Sequence, residues 1–575
     1  MITATEQLRQ LDEQFFDAMH STDPLTATML GVEGYDSRLP DPSPEGVERS
    51  AARFRKIEER LSQLSPDHLS AEDRIDREVM AELAWSLRVN LEDGLWAANA
   101  SAAGYVSPQA IAFQAIPTAP LRTRVAVGWY LERLAQLPAY MDAVLLRYRQ
   151  SMAAGRHPTK VGVQQAMAQL DGHLGRPLVE DRLLVALRAS PVAESHDLAR
   201  AAEVVEYQVR PALARLRDGL AQELLSGARP EAEVGLCFIP GGEDAYRRAV
   251  RRHTTTELEP AEIHKIGRDV LSALEQEWEE VGGRVFGRSS PADVRRRLRE
   301  DPRLRFHSSG EIVEVVRAAL SRAEQARDGF FPRLEIADCV VEEIDPVEAG
   351  NSALAYYRGP SQDGGRAGAH CVLTTDPTSR FTYEYEALAF HESSPGHHLQ
   401  IASAQRLEGL PRYRRHLDAE VCAYVEGWGL YAERLADEMG LYTFDLQRLG
   451  MLSFDALRAC RLVVDTGMHH LGWSRQEAVD FMWQNTATTT ANVDNEVNRY
   501  IAWPGQALAY MVGRREIRRL RREAEADLGP LFDLRGFHGA VLSQGAVPLR
   551  VLAGVVERWR SSVARGGNAS GEQPA

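Results

Sequence analysis

The chain has 575 residues, of which 44% are apolar, 26% charged and 7% aromatic, and this composition is that of a globular protein rather than a disordered or fibrous one. Its formal net charge of −15 argues against a broad electrostatic attraction to nucleic acid or to an anionic membrane. Only a local basic groove could bind either of them. The five cysteines form no C-x-x-C pair, and neither a signal-like start nor an 18-residue apolar run is present. We therefore predict a cytoplasmic monomer or homodimer without nucleic-acid or membrane partners.

Helical periodicity dominates residues 1–330, which we predict to form a mostly helical lobe. Four long segments have the apolar spacing of amphipathic helices, and they begin at Glu48, Ser70, Arg122 and Leu198. Pro138 is expected to end the third of these helices at or just before Leu137.

The pattern changes near Pro332, where three short runs are rich in β-branched and aromatic residues: RLEIADCVVEEID, ALAYYRG and AHCVLTT. They predict a small sheet. Helical periodicity returns after Thr382 and continues to about Arg565, and the polar residues 566–575 are expected to form a disordered tail. We therefore expect a mainly α-helical protein in which residues 331–565 hold the sheet and a catalytic helical lobe, continuous with residues 1–330. A sheet beside the active-site helices can form a cleft between helical lobes.

The segment TYEYEALAFHESSPGHHLQ places three histidines within eight residues. In the zinc-peptidase pattern H-E-x-x-H, histidines four residues apart share a helix face, so both bind one Zn²⁺ at about 2.0–2.1 Å while the Glu activates water. Here the next histidines after His391 are His397 and His398, and residues six apart lie about 240° around a regular helix. A shared metal therefore requires the helix to open. Pro395 and Gly396 favour such an opening, and His397 needs the smaller distortion, so His398 is the less favoured alternative.

Glu426 is the candidate for a third ligand. If Gly409-Leu410-Pro411 is the turn of an antiparallel helix hairpin, His397 and Glu426 lie at similar depths, roughly 18 and 22 Å from that turn. The two glycines of the E-G-W-G run each cost a helix about 1 kcal/mol relative to Ala, which makes sense where a backbone or ligand approaches closely. Glu433 lies farther along the same face and could orient a ligand.

Two motifs resemble those of a known family. HESSPGH over residues 391–397 matches H-E-x-x-P-G-H, and EGWGLYAE over residues 426–433 matches E-G-W-x-L-Y-x-E, of the bacterial family catalogued as domain of unknown function 885. Looser similarity covers most of the chain from Tyr35. Members of this family look like zinc metallopeptidases. The resemblance implies a helical, cleft-shaped body similar to peptidases of the angiotensin-converting-enzyme and carboxypeptidase Taq type, with one zinc ion. It implies His391, His397 and Glu426 as metal ligands and Glu392 as catalytic base.

These residues predict a zinc-dependent hydrolase that cleaves amide bonds of short peptides. A zinc ion would lower the pKa of a bound water, and Glu392 would take its proton during attack on the carbonyl carbon. Tyr500 or Tyr510 could donate a hydrogen bond to the oxyanion, although tyrosines in helices more often serve packing. His469 or His470 could assist with the substrate, and a core position is the simpler interpretation of both.

Two features bear on the form of the substrate. Arg499 could pair with the terminal carboxylate of a peptide, which would favour carboxypeptidase or dipeptidase action, or could form a surface salt bridge. The segment Tyr356–Thr374 could offer an edge strand to an extended peptide.

The sequence is also compatible with two other functions. The first is a zinc amidohydrolase that acts on a non-peptide or biosynthetic-pathway amide, because the same metal and base would support it. The second is a non-catalytic helical binding protein with a structural metal or none. Glu392 argues against the second, because a structural site gains nothing from a base beside its ligands.

Overall fold

The fold is taken from a computed structural model, which describes residues 3–287, 290–344, 353–360, 366–417 and 419–566. Two compact units make up the chain: Met1–Ala249 with Gly467–Ala478 and Asn495–Pro504, and Val250–Thr466 with Val479–Asp494 and Gly505–Ala575. The change from helices to strands near residue 330 does not coincide with the division into units. The predicted tail, apart from residue 566, lies outside the described residues.

A long series of helices precedes the sheet, in agreement with the helical periodicity of this region. The helices are α1 (Ala4–Thr22), α2 (Pro24–Leu30), α3 (Pro44–Gln63), α4 (Ala71–Asp93), α5 (Leu95–Ala98), α6 (Pro108–Ala115), α7 (Arg124–Ala153), α8 (Lys160–Leu174), α9 (Arg182–Ala189), α10 (Ser195–Val204), α11 (Arg210–Gly219), α12 (Gly242–Thr254), α13 (Pro260–Phe286), α14 (Pro291–Glu300) and α15 (Ser309–Ala326). Side-chain caps explain several starts: the Ser70 hydroxyl accepts a hydrogen bond from the N–H of Asp73, and that of Thr123 from the N–H of Ala126. The mainly helical prediction is confirmed.

Helix α7 continues through Pro138, so the predicted break at this residue is wrong. A proline inside a helix removes one hydrogen bond and costs about 3 kcal/mol or more. The neighbouring Leu134, Leu137 and Met141 are fully buried, and burying each such side chain contributes about 1.5–3 kcal/mol. Packing of the apolar face therefore outweighs the local cost of the proline.

The predicted sheet is confirmed and has three strands, β1 (Cys339–Glu343), β2 (Ala355–Arg358) and β3 (Gly368–Val372). Strand β3 lies in the middle, parallel to β1 and antiparallel to β2, and all its residues are buried. His370 of β3 hydrogen-bonds through Nδ1 to the hydroxyl of Ser393, at 3.2 Å. The sheet therefore contacts the segment that follows the His-Glu pair.

Three helices after the sheet carry the two motifs: α16 (Tyr385–Glu392), α17 (His397–Gln405) and α18 (Cys422–Glu438). The predicted three-residue hairpin turn between α17 and α18 is wrong, because the connection runs from residue 406 to 421 and includes 3₁₀ turns at Arg412–His416 and Ala419–Val421. Gly409, with φ of 89°, turns the chain, and Pro411, which lacks an N–H, precedes the first 3₁₀ turn instead of α18.

The chain ends in further helices, as predicted for the region after Thr382. They are α19 (Asp445–His469), α20 (Arg475–Asn485), α21 (Thr490–Ala502), α22 (Ala509–Leu528), α23 (Leu534–Leu542) and α24 (Leu549–Ala564). Over the described parts of the chain, none of the helices is long and apolar enough to cross a membrane. The five cysteines are all described, and they form no disulfide bond.

Candidate metal centre

The centre begins where α16 ends. Glu392 is the last residue of α16 and His397 is the first of α17, and the intervening Ser393–Gly396 leave the helical path with a cis peptide bond before the proline. The indole N–H of Trp428 in α18 donates to the carbonyl oxygens of the Pro-Gly pair, at 3.0 and 3.2 Å. The chain therefore forms two helices here, a larger interruption than the opened or bulged helix that the sequence predicts.

Glycines give the backbone room to approach the centre. A Cβ atom on Gly396 would lie 1.9 Å from the carbonyl oxygen of His391, and one on Gly429 would lie 2.7 Å from Cε1 of the His391 ring. A Cβ on Gly427 would lie 2.5 Å from the Cα of Gly513 in α22. The close approach expected at the E-G-W-G run is thus observed at both of its glycines.

His391, His397 and Glu426 converge on a common point. Oε2 of Glu426 lies 3.5 Å from Nε2 of His391 and 3.6 Å from Nε2 of His397, and ligand atoms of all three residues lie within 4.8 Å of one another. The two imidazole rings are perpendicular, with centroids 4.7 Å apart. Ligands of a tetrahedral zinc ion at about 2.0–2.1 Å are roughly 3.3 Å apart, so these donors have the spacing of a slightly expanded metal site.

A buried carboxylate orients His391. The Nδ1–H of His391 donates to Oε1 of Glu433 at 2.8 Å, which leaves Nε2 to face Glu426. Glu433 is fully buried, and an Arg458 nitrogen lies 3.4 Å from the same oxygen. The contact with Glu433 agrees with the orienting role suggested by the sequence. Arg458 was missed there, although an arginine within the apolar run of α19 was a signal for a buried charge.

The pKa values of two neighbouring carboxyl groups, those of Glu392 and Glu426, are shifted in opposite directions. Burial raises the pKa of Glu392, opposed by the neighbouring His397 and His391. Burial also acts to raise the pKa of Glu426, but hydrogen bonds from His391 and His397 bring it well below its usual value. For His391, burial lowers the pKa, and the hydrogen bonds to Glu426 and Glu433 outweigh this and raise it to about 9. Neighbouring acids with oppositely shifted pKa values are typical of sites that bind a cation and transfer protons.

His398, the alternative ligand, is directed elsewhere. Its Nδ1 lies 3.0 Å from the hydroxyl of Tyr357 in β2, with the two rings edge to face. The interruption before α17 therefore brings His397, and not His398, to His391 and Glu426.

Three predicted substrate or oxyanion residues lie in the first unit and have other contacts there. The Tyr500 hydroxyl donates to the carboxylate of Glu496, with which Arg499 pairs at 3.1 Å, so Arg499 forms the salt bridge that the sequence left open.

Nδ1 of His469 accepts from the N–H of Leu236 at 3.1 Å, and Nε2 donates to the carbonyl of Tyr500 at 3.0 Å. Burial lowers the pKa of His469 to about 4. His469 is therefore a core residue instead of the substrate-binding residue predicted from the sequence, because both of its ring nitrogens bond to backbone groups of the protein.

Tyr510 lies in the second unit, as the metal centre does. It is half-buried, and the guanidinium carbon of Arg461 lies 4.3 Å from its ring centroid.

A buried histidine supports the helix that carries Glu426. His538 donates from Nδ1 to the carbonyl of Phe330 at 2.7 Å and accepts at Nε2 from the hydroxyl of Tyr431 in α18 at 2.8 Å. Burial lowers the pKa of His538 to about 4. The folded protein therefore holds this ring neutral.

Because the unfolded chain binds a proton at His538 near pH 6.5 and the folded chain only near pH 4, stability should fall on acidification through this window. The contribution is roughly 1.4 kcal/mol per pH unit. Urea unfolding of His538→Gln should show a shallower pH dependence by about that slope. The exposed His68→Gln serves as control and should keep the wild-type slope; an unchanged slope in His538→Gln would contradict the assignment.

Comparison with known proteins gives a family and two related structures. A family model described as "Bacterial protein of unknown function (DUF885)" matches residues 24–556. A crystal structure of a proposed lipoprotein from Colwellia psychrerythraea is 26% identical and superposes with a TM-score of 0.89, covering 98% of this chain and 100% of that one. A proposed lipoprotein of unknown function from Shewanella oneidensis is 19% identical, with a TM-score of 0.75 over 96% of this chain and 99% of that one. No curated protein gives a significant match.

These structures contradict the predicted cytoplasmic location. Both are described as proposed lipoproteins, a class of membrane-anchored proteins outside the cytoplasm. The prediction was wrong because it rested on the spacing of the cysteines and on the lack of a signal-like pattern in the first residues, and neither of these establishes the compartment of a protein.

Proposed function

The chain belongs to the DUF885 family of bacterial proteins of unknown function, and we propose that it is a zinc-dependent hydrolase that cleaves amide bonds of short peptides. The convergence of His391, His397 and Glu426 carries this proposal. Two imidazoles and one carboxylate are the ligand set of many catalytic zinc sites, which keep a fourth position for water. The hydrogen bond between Glu433 and His391 is the outer contact that such ligands use.

When bound, a zinc ion would supply a Lewis acid that lowers the pKa of water and polarises a carbonyl group. Glu392 follows the ligand His391 in the chain, and the charges of both histidines and of Glu426 affect its pKa. In the proposed reaction, its carboxylate takes a proton from water as the water oxygen bonds to the carbonyl carbon, and gives that proton to the amine as the C–N bond breaks. Tyr510 is a candidate donor to the oxyanion.

The sheet supports a peptide substrate. Among the described strands, β2 lies at one edge and pairs with β3 on its other side. Its Tyr357 hydrogen-bonds to His398, the residue after the ligand His397, so β2 packs against the start of α17. An extended peptide could add to β2 through main-chain hydrogen bonds, which would give affinity without demanding a side-chain sequence.

Metal removal tests the proposal. Purified protein should hydrolyse short peptides in a panel of di- to pentapeptides and N-acyl amides, lose this activity after chelation, and regain it with one equivalent of Zn²⁺. Metal content should be measured on the same samples. Hydrolysis restricted to the N-acyl amides would assign a non-peptide amidohydrolase. Activity that survives complete metal removal would refute a metal-dependent mechanism.

Gly429→Ala should weaken zinc binding, because its Cβ would lie 2.7 Å from the His391 ring and displace that ligand. We expect a loss of about 10–100-fold, similar to that on removing an outer contact of a ligand. Competition with a zinc-chelating dye would measure it.

Gly283→Ala in α13 is the matched control, since nothing lies within 4 Å of its Cβ position. Equal zinc affinities in the two variants would show that the room provided by Gly429 is not needed.

A further inference from the structure

Helix α22 carries an unusual concentration of positive charge. Six of the nine residues from 514 to 522 are arginine, in a chain whose net charge is −15. Arginines in such a run are usually exposed to solvent and paired with carboxylates. On α22 this holds for some of the arginines only.

Half of these arginines are paired. Arg514 bonds the buried Asp455, Arg519 bonds Glu516 and Glu523, and Arg521 bonds Glu438 and Glu525.

The other three, Arg515, Arg518 and Arg522, are exposed and make no hydrogen bond or ion pair to any residue that the structure describes. They are spaced i, i+3 and i+7, so they lie along one face of α22. Partial burial and the nearby guanidinium of Arg522 lower the pKa of Arg515, against an opposing effect of Asp269. Three positive charges therefore face one region without a carboxylate bonded to them.

That region is a cavity of about 370 Å³ that is open to solvent and is lined by residues of the second unit. The three arginines line it together with apolar side chains, among them Ile266, Val270 and Leu274 of α13. The two carboxylates that line the cavity are paired with other arginines, since Glu277 bonds Arg434 and Glu516 bonds Arg519. None of its lining residues belongs to the candidate metal centre.

A buried guanidinium also lines the cavity. Arg514 is 4% exposed, and its buried Nε–H has no hydrogen-bond partner in the described chain. An unsatisfied buried donor costs about 1–3 kcal/mol, and Arg514 is held in the wall by its ion pair with Asp455.

We propose that this cavity binds an amphiphilic organophosphate, with the phosphate between Arg515, Arg518 and Arg522 and the apolar part against α13. Phosphate suits the site because its several oxygens can accept from more than one guanidinium at once, in charge-assisted and bidentate hydrogen bonds. The apolar wall would contribute nothing to inorganic phosphate and would stabilise an alkyl or acyl chain. The proposal is independent of the hydrolase activity.

Binding of hexyl phosphate, inorganic phosphate and hexanoate to the full-length protein should be compared by titration calorimetry. Hexyl phosphate should bind saturably and most tightly of the three. Arg518→Gln and Arg522→Gln should each weaken it by about tenfold or more, because each removes a charge-assisted hydrogen bond. Arg521→Gln is the control: it makes the same charge change on the same helix but lies outside the cavity lining, and its affinity should stay within about twofold of wild type.

Absence of saturable binding by wild type, or an equal loss in Arg521→Gln, would overturn the site. Hexanoate binding as tightly as hexyl phosphate would overturn the choice of phosphate. Sedimentation with vesicles of phosphatidic acid in phosphatidylcholine separates two sources of the ligand. Vesicle binding that Arg518→Gln abolishes would support a lipid headgroup, and hexyl phosphate binding without vesicle binding would support a soluble organophosphate.

Discussion

Glu392→Gln is expected to slow amide hydrolysis by about 10²–10⁴-fold while the protein keeps its zinc. Glutamine has nearly the shape of glutamate but cannot take a proton from water, and Glu392 is not among the three converging ligands. The loss should therefore appear in kcat, with metal content and thermal stability unchanged. Single-turnover kinetics with a peptide from the active panel, together with metal analysis of the same sample, would measure both quantities.

Glu408→Gln is a suitable control for this variant. Glu408 is exposed in the connection between α17 and α18, so the same chemical change there should leave turnover and zinc content at wild-type values. If Glu392→Gln hydrolyses every substrate at the wild-type rate, Glu392 is not the base. If it loses zinc, the carboxylate has a metal-binding role that the present proposal does not give it.

His391→Ala is expected to lower zinc affinity by more than about 100-fold, because loss of even an outer contact costs 10–100-fold and this variant removes a ligand itself. Hydrolysis should disappear with the metal. The affinity is measured by competition with a chelator, and far-UV circular dichroism establishes that the helices are retained.

His398→Ala is the matched control for His391→Ala. It removes the same side chain from the same short segment, but His398 is hydrogen-bonded to Tyr357 and lies outside the converging group. Zinc affinity should therefore change little in this variant. Loss of zinc in His398→Ala with retention in His397→Ala would reverse the assignment between these neighbouring histidines.

The region around Arg458 shows why part of the centre could not be predicted. Glu433 could be placed beside the ligands because it follows Glu426 by seven residues, close to two helical turns. Arg458 comes from α19, and its contact with Glu433 depends on how two separate helices pack. Tyr500 and Arg499 show the converse: suitable residue types were present, but Glu496 on their own helix pairs with both.

The sequence by itself determined the mainly helical class, the positions of the three strands and the two motifs, because these depend on periodicity and on contacts between near neighbours in the chain. Only the tertiary structure decided that α7 passes through Pro138, that the chain between Glu392 and His397 forms two helices, and that His397 instead of His398 meets Glu426. Each of these outcomes depends on packing between residues far apart in sequence: the buried face of α7, the Trp428 indole that binds the Pro-Gly carbonyls, and the glycine that makes room for His391. Local preferences of about 1–3 kcal/mol give way when several such contacts act together.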